Sequence, residues 1–536
     1  MEEARRAFLR RSAALLAAPL LLSRGLGLAP ATAQGLGRPA QSVRAHGASG
    51  DGRANDTRAI QAAIDAAGSS RGAVYFPPGD YVSGTLHLRS HTTIQLAAGA
   101  TLIASRDDAS FDPVEQPAYD TFADAETTSF RFALLQGQGL QDVRILGPGR
   151  IDGNRTSRDG PKPIALKECR KVELRNLTLV NSGNYTVSLL GCDGVDIVGV
   201  TILNGYSDGI DPDCCQDVRI SSCRIDTRDD AIALKTSFAL GRRRPTRRVT
   251  VSDCHLTTIH NALKLGTETT GDFENIVFRN CTVVGRSHVW KGDLSSGVAI
   301  ESVDGGNIRH VSISDIRMTG VRSPIFIRLG QRGRGQDVPA AGRLQDISIS
   351  NLEAAGAIIA SSITGIPGHP VSEISLKNVR ITARGGGGAD LAGRSVPELE
   401  KTYPDAYMFW DLPAYGLYCR HADGLTLDRV ALGVDQPDAR PAVVLDDVSQ
   451  ARVSALHAMP PAEGGPLVWL RSVRGCSLDG PRLRAGTRTL LRLSGADTAR
   501  IRVMGSDLRQ VEKPAIVDPE VPATALRMEG TLRAGR

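Results

Sequence analysis

A short motif recurs along most of the chain: two apolar residues flank one variable position, and a further apolar residue follows three places on. It reads Val195-Asp196-Ile197 with Val200, Val218-Arg219-Ile220 with Cys223, Val249-Thr250-Val251 with Cys254, and Ile276-Val277-Phe278 with Cys281. Further copies are Val311-Ser312-Ile313 with Ile316, Ile347-Ser348-Ile349 with Leu352, Ile374-Ser375-Leu376 with Val379, and Leu425-Thr426-Leu427 with Val430. Steps between copies begin at 23 residues, from Val195 to Val218, and lengthen where insertions such as Gly241 to Arg247 intervene. Short β-branched strands at this spacing, broken by Gly, Asn and Asp and with no helices between them, predict the coils of an all-β, right-handed parallel β-helix. Near the start, Ile60, Ala63, Ile64 and Ala67 form one helical stripe closed by Gly68. A helix there would cap the open end of the solenoid, whose first coil would otherwise expose its core and its strand edge.

The repeat changes how the cysteines read. Nine of them in an exported chain would suggest disulfides, with at least one left unpaired. Cys223, Cys254 and Cys281, however, share a column with Val200, Ile316 and Leu352 and should point into the core as small apolar residues. Cys214 and Cys215 have no place in that column.

Export itself is predicted from Arg5 to Arg11, the apolar run Ala13 to Leu22, and Ala31-Thr32-Ala33 before Gln34. This is the layout of a signal peptide over residues 1–33, with a paired arginine resembling the twin-arginine pattern. The apolar run is too short for a membrane span, which takes about 20 residues. The expected address is the periplasm or the exterior, with no span once the signal is removed. A single catalytic solenoid is expected over 43–510, with 511–536 as a tail, because one solenoid can absorb such a length. The net charge of +6 is modest, and the arginine run at 242–244 and 247–248 reads as a solvated loop, so no nucleic-acid partner is implied.

The chemistry concentrates in Tyr206 to Asp213 and, one coil later, Arg228 to Lys235. Asp208 lies 13 residues after Val195, Asp230 lies 12 after Val218, and Asn261 lies 12 after Val249. Three polar residues therefore stack on successive coils, roughly 4.8 Å apart per step. Glycosidic hydrolysis needs one carboxylic acid to protonate the leaving oxygen and one carboxylate to activate water or attack carbon. Crowded carboxylates supply both, since like charges raise at least one pKa. A ladder of aspartates capping turns would produce the same spacing.

These segments resemble the polygalacturonase family of glycoside hydrolases. Ser207-Asp208-Gly209-Ile210-Asp211-Pro212 is similar to its Asn-Thr-Asp-Gly-hydrophobic-Asp motif, and Asp229-Asp230 to its Asp-Asp motif. Gly50-Asp51-Gly52, Phe76-Pro77-Pro78-Gly79 and Gly147-Pro148-Gly149 resemble its amino-terminal half, and the likeness runs from about Val43 to Arg332. The resemblance implies an inverting mechanism with Asp229 as general acid and Asp208 and Asp230 holding the attacking water. Asp229 and Asp230 can both face a cleft only if the strand bends between them, because neighbours in a straight strand point oppositely.

The family pattern also breaks. Its Gly-His-Gly aligns with His260-Asn261-Ala262, so His260 precedes the expected slot and would face away in a regular strand. Its Arg-Ile-Lys, which binds the galacturonate carboxylate, aligns with Ala299-Ile300-Glu301, and both cations are missing. Alternation about Ile232, Leu234, Leu263, Leu265, Ile300, Ile325, Ile327 and Leu329 instead points Lys235, Lys264, Glu301 and Arg328 outward on successive coils. Stacked Lys235 and Lys264 would repel one another unless Glu301, Glu268 or a substrate carboxylate intervened.

Two loops complete the cleft. The aperiodic stretch from Arg106 to Phe130 should lie over it. Between Tyr403 and Tyr418 aromatic residues crowd together, Trp410 and Tyr415 among them, as a sugar platform or as a small satellite core. The expectation is a monomeric hydrolase of galacturonan or rhamnogalacturonan-like glycans, working without cofactor or metal and leaning towards short chains or chain ends. Two alternatives remain. One is a lyase or epimerase binding calcium through Asp208, Asp211 and Asp213. The other is a carbohydrate-binding solenoid without activity.

Overall fold

The computed structural model describes residues 40–285 and 294–532. The chain winds as a right-handed parallel β-helix, the hand that twisted strands favour in parallel connections. Over the first half each coil carries three strands, so a strand pairs in parallel with the strand one full turn later: Asp193–Val198 with Gln216–Ser221, Thr201–Gly205 with Arg224–Thr227, and Ile210–Asp213 with Ile232–Thr236. Further on, two of the three strands run together into long ones such as Phe273–Gly285, which pairs with both Thr246–Ser252 and His255–Thr258.

The register follows the periodicity. Val195 opposes Val218, then Val249, Ile276, Val311, Ile347, Ile374 and Leu425 in turn. Every member of that column is buried in one continuous core. Each burial stabilises by about 1.5–3 kcal/mol, and a one-residue slip would turn the column to solvent, so the register is strongly specified. Cys223, Cys254 and Cys281 stack in the next column, all buried and all unpaired, and the remaining six cysteines are buried thiols as well. Asparagines mark the coil corners in left-handed backbone (Asn181 and Asn204, φ 52° and 54°), and their amides bond from coil to coil, Asn204 Nδ2 to Asn181 Oδ1 at 2.8 Å. A short polar side chain that tolerates positive φ suits this corner.

The capping helix runs Thr57–Ser70. Ile60, Ala63, Ile64 and Ala67 are fully buried against the first coil, as the stripe requires, but the helix passes Gly68 and closes at Arg71 in left-handed backbone. The solenoid also does not stop at 510: Lys513–Val517 and Leu526–Glu529 pair with Thr489–Ser494 and Ala499–Met504, so the described part of the expected tail is the last coil. Its strands are half-buried or exposed, and among the described residues no further coil pairs with them. Among the described residues no helix is long and apolar enough to cross a membrane. The export signal expected over 1–33 lies outside them.

Candidate active site

The aspartates sit at one corner of the solenoid, where a strand ends, bends and restarts. Backbone hydrogen bonds stack that corner: Thr186 N donates to Asp208 O (2.9 Å), Gly209 N to Asp230 O (2.9 Å), and Ala231 N to Asn261 O (2.8 Å). The predicted column of Asp208, Asp230 and Asn261 therefore forms. The strand Arg224–Thr227 ends before Arg228, and the chain bends through Asp229 before Ile232–Thr236 begins. This bend is what brings Asp229 and Asp230, adjacent in sequence, to the same cavity with Asp208.

Asp230 is the most heavily bound member. It accepts from Asn261 N (3.0 Å), Asn261 Nδ2 (2.8 Å) and Lys264 Nζ (2.9 Å), and its Oδ1 lies 3.0 Å from His260 Nδ1. Burial opposes its ionisation, but Lys264 and His260 outweigh burial and hold the carboxyl well below its ordinary range. Asp229 differs. Burial first, then the carboxylates of Asp208 and Asp230, push it up to about 6, although His260 and Arg158 pull the other way. Arg158 reaches Asp229 from the loop after Asp152 and also contacts Glu126 at 3.0 Å. Asp208 pairs with Lys235 at 3.0 Å, and that same ammonium lies 2.9 Å from Asp211. Burial, with Asp208 beside it, drives the Asp211 carboxyl well above its usual range.

His260 is not turned away. It occupies the bend between His255–Thr258 and Asn261–Thr269, outside either strand, so strand alternation does not govern it. Its Nδ1 lies 3.0 Å from Asp230 and 3.5 Å from Asp229, and its Nε2 lies 3.2 Å from Asp405. Burial disfavours the imidazolium, yet hydrogen bonds to Asp230 and Asp405 raise its pKa well above normal and favour the protonated ring.

The alternation argument holds for the inward residues, all of which are buried in the core, and fails in part for the outward ones. Lys235 and Lys264 do not share a column: Lys264 opposes Ala233, while Lys235 opposes Asp213. Each is neutralised by carboxylates of the preceding coil, Lys235 by Asp208 and Asp211 and Lys264 by Asp230, because an unpaired buried ammonium would be costly. Glu301 stands 3.9 Å from Lys264, fully buried, and burial pushes it up to about 8. Glu268 lines the cavity beside Asp124. Arg328 leaves the site altogether: it donates to Gly365 O (2.9 Å), contacts Glu398 O and lies under the Phe409 ring, bracing the aromatic loop.

That loop divides in two. Tyr415 is core, with its hydroxyl donating to Met459 O at 2.7 Å. Phe409, Leu412 and Tyr418 close a satellite cluster over Ala299 and Phe326. Trp410 is 61% exposed and leans on Tyr407, ring centroids 5.9 Å apart, and Tyr407 in turn adjoins Asp405, the partner of His260. The loop from Arg106 to Phe130 covers the cavity as expected, contributing Asp124 and Glu126, and Tyr119 ties it down through Ala239 O at 3.0 Å. Arg158, Tyr185, Tyr403 and Asp405 join the site without a signal in the repeat, since all four lie outside the copies of the motif.

Asp208, Asp211 and Asp213 do not make an open cation site. Lys235 takes the first two, and Asp213 accepts from Ser237 N at 2.8 Å and from its hydroxyl.

The sequence profile of Glycosyl hydrolases family 28 matches residues 76–396, more than half of the 536-residue chain, and that of Rhamnogalacturonase A/epimerase, pectate lyase-like, matches residues 40–111. The chain is 28% identical over 378 residues to a probable polygalacturonase of Vitis vinifera, covering 63% of this chain and 75% of that one. It is 25% identical over 361 residues to an endo-polygalacturonase of Pectobacterium carotovorum subsp. carotovorum, covering 61% and 84%. In fold it is similar to an exopolygalacturonase from Thermotoga maritima, with a TM-score of 0.53 at 19% identity over 64% of this chain and 87% of that one. With a family match of this extent, the chain belongs to glycosyl hydrolases family 28 and is a glycosidase.

Proposed function

We propose that this protein hydrolyses O-glycosidic bonds of pectic glycans with inversion, using Asp229 as general acid and Asp208 and Asp230 to orient and deprotonate the attacking water. The carrying observation is the divergence of two adjacent carboxyls: Asp229 is pushed up to about 6 while Asp230 is held well below its usual range. Environments that separate two pKa values in this way assign the acid and the base. At mildly acidic pH Asp229 retains a proton to give to the leaving oxygen, and Asp230 is ionised and can take one from water. Protonated His260, between Asp229, Asp230 and Asp405, and the Asn261 amide fix the orientation of Asp230. Exposed Trp410 on Tyr407 offers a flat apolar face for a sugar ring at the rim.

The pectic substrate class rests on the named polygalacturonases to which the chain is similar. Export to the periplasm or beyond rests on the signal layout of residues 1–33, and action as a monomer on a cavity built by one chain.

The test follows reducing ends and absorbance of unsaturated sugars together, on polygalacturonan, rhamnogalacturonan and their oligosaccharides, for the wild type and Asp229→Asn. Reducing ends without absorbance, abolished in the variant, with proton NMR reporting the inverted anomer first, is the expected result. Absorbance would transfer the protein to eliminative chemistry, and a retained anomer would refute the single-displacement mechanism.

A further inference from the structure

The charges that line the cavity bear on which sugar it can hold. Three cations face it, Arg158, Lys235 and Lys264, and six carboxyls, Asp124, Glu126, Asp208, Asp229, Asp230 and Glu268. Each cation is already engaged: Arg158 by Asp229 and Glu126, Lys235 by Asp208 and Asp211, Lys264 by Asp230. Arg332, beside Tyr403 at the rim, is held by Asp304 at 2.6 Å and by Thr267 O at 2.9 Å. The next coil adds no cation: Ala299 is packed into the satellite cluster, and Glu301 is a buried carboxyl. Among the described residues, no uncommitted positive group is left in the cavity to receive a sugar carboxylate.

A uronate placed there would bring a seventh carboxyl against largely buried carboxylates without a partner, and burying an unpaired charge is among the most costly steps in recognition. A sugar with hydroxyls only fits better. Its O–H groups can donate to the carboxylates that line the cavity, each oxygen of which carries more than one lone pair, and the Tyr403 hydroxyl can answer its ring and hydroxyl oxygens. We propose that the sugar whose glycosidic bond is broken, the one seated against Asp229 and Asp230, is a neutral pyranose rather than a uronic acid. The inference deepens the hydrolase reading above and rests on it. The bond cleaved would then be one in which a neutral residue of a pectic glycan is the glycone.

The purified protein is offered oligogalacturonides and pectic oligosaccharides in which rhamnose, galactose or xylose supplies the glycone, with mass spectrometry identifying the bond broken. A neutral glycone is expected to give kcat/KM about a hundredfold or more above galacturonate, the scale of one unfavourable like-charge juxtaposition. Galacturonides cleaved equally well or better would overturn the inference and leave the hydrolase reading intact. Inactivity on every glycan would overturn both. A second measurement uses Asp124→Asn, a half-exposed rim position paired with Arg334 at 3.1 Å, which removes one negative charge at constant size, with a thermal melt to confirm folding. The neutral-to-galacturonide ratio should narrow about two- to fivefold, and an unmoved ratio would remove the charge argument.

Discussion

Lys264→Met tests whether the low pKa of Asp230 is built by its buried partner. The ammonium lies 2.9 Å from Asp230 Oδ2, with both side chains nearly inaccessible, 4% and 5% exposed. Removing one member of a buried ion pair costs about 3–5 kcal/mol, because the other charge is left without compensation. Asp230 would keep the two Asn261 donors and His260, so the lower end, about 3 kcal/mol, applies. At about 1.4 kcal/mol per pH unit this raises the Asp230 pKa by roughly 2 units. The base must be ionised to work, so the acid limb of kcat/KM, below the ordinary carboxylate range in the wild type, should move up by about that amount. The thermal midpoint should fall by about 3 °C for a chain of this size. Full pH profiles and thermal melts of the wild type, Lys264→Met, Asp230→Asn and the double variant complete the cycle, and the double variant should be more stable than the sum of the single losses allows. An acid limb that stays in place while the melting point drops would refute the electrostatic role and leave Lys264 as packing alone.

Asp229, pushed up to about 6, must stay protonated to act, so wild-type kcat/KM should fall tenfold per pH unit above about 6. Arg158→Ala removes a cation that lowers this pKa and should shift that limb upward, a direction read from the same pH profile. All nine thiols are buried and unpaired, so Ellman's reagent should find none in the native protein and nine after denaturation. Trp410→Ala should raise KM with the melting temperature unchanged. Tyr415→Phe, which loses the hydrogen bond to Met459 O, should cost about 1 kcal/mol of stability with kinetics untouched.

How much of this was legible beforehand differs between the coils and the site. The columns from Val195 to Leu425 could be read because a solenoid core is periodic: each coil buries the same positions against its neighbour, so sequence spacing maps directly onto register. The stacking of Asp208, Asp230 and Asn261 followed from the same arithmetic, and so did the burial of Cys223, Cys254 and Cys281. The failures are local. His260 was expected to face away because strand alternation was extended into a bend, where backbone direction and not parity sets side-chain direction. Lys235 and Lys264 were expected in one column, but Leu234 pairs with Leu265, so Lys264 sits beside Ala233 and Lys235 falls two positions further along its strand.

The sequence by itself therefore determined the architecture, the family and the corner of each coil that carries carboxylates, since those depend on local period and short motifs. Only the tertiary structure decided the electrostatics. Arg158, Asp405 and Tyr403 come from loops far apart in the chain, and which buried cation neutralises which carboxyl depends on atoms within about 4 Å of each other, a contact range that no one-dimensional pattern records.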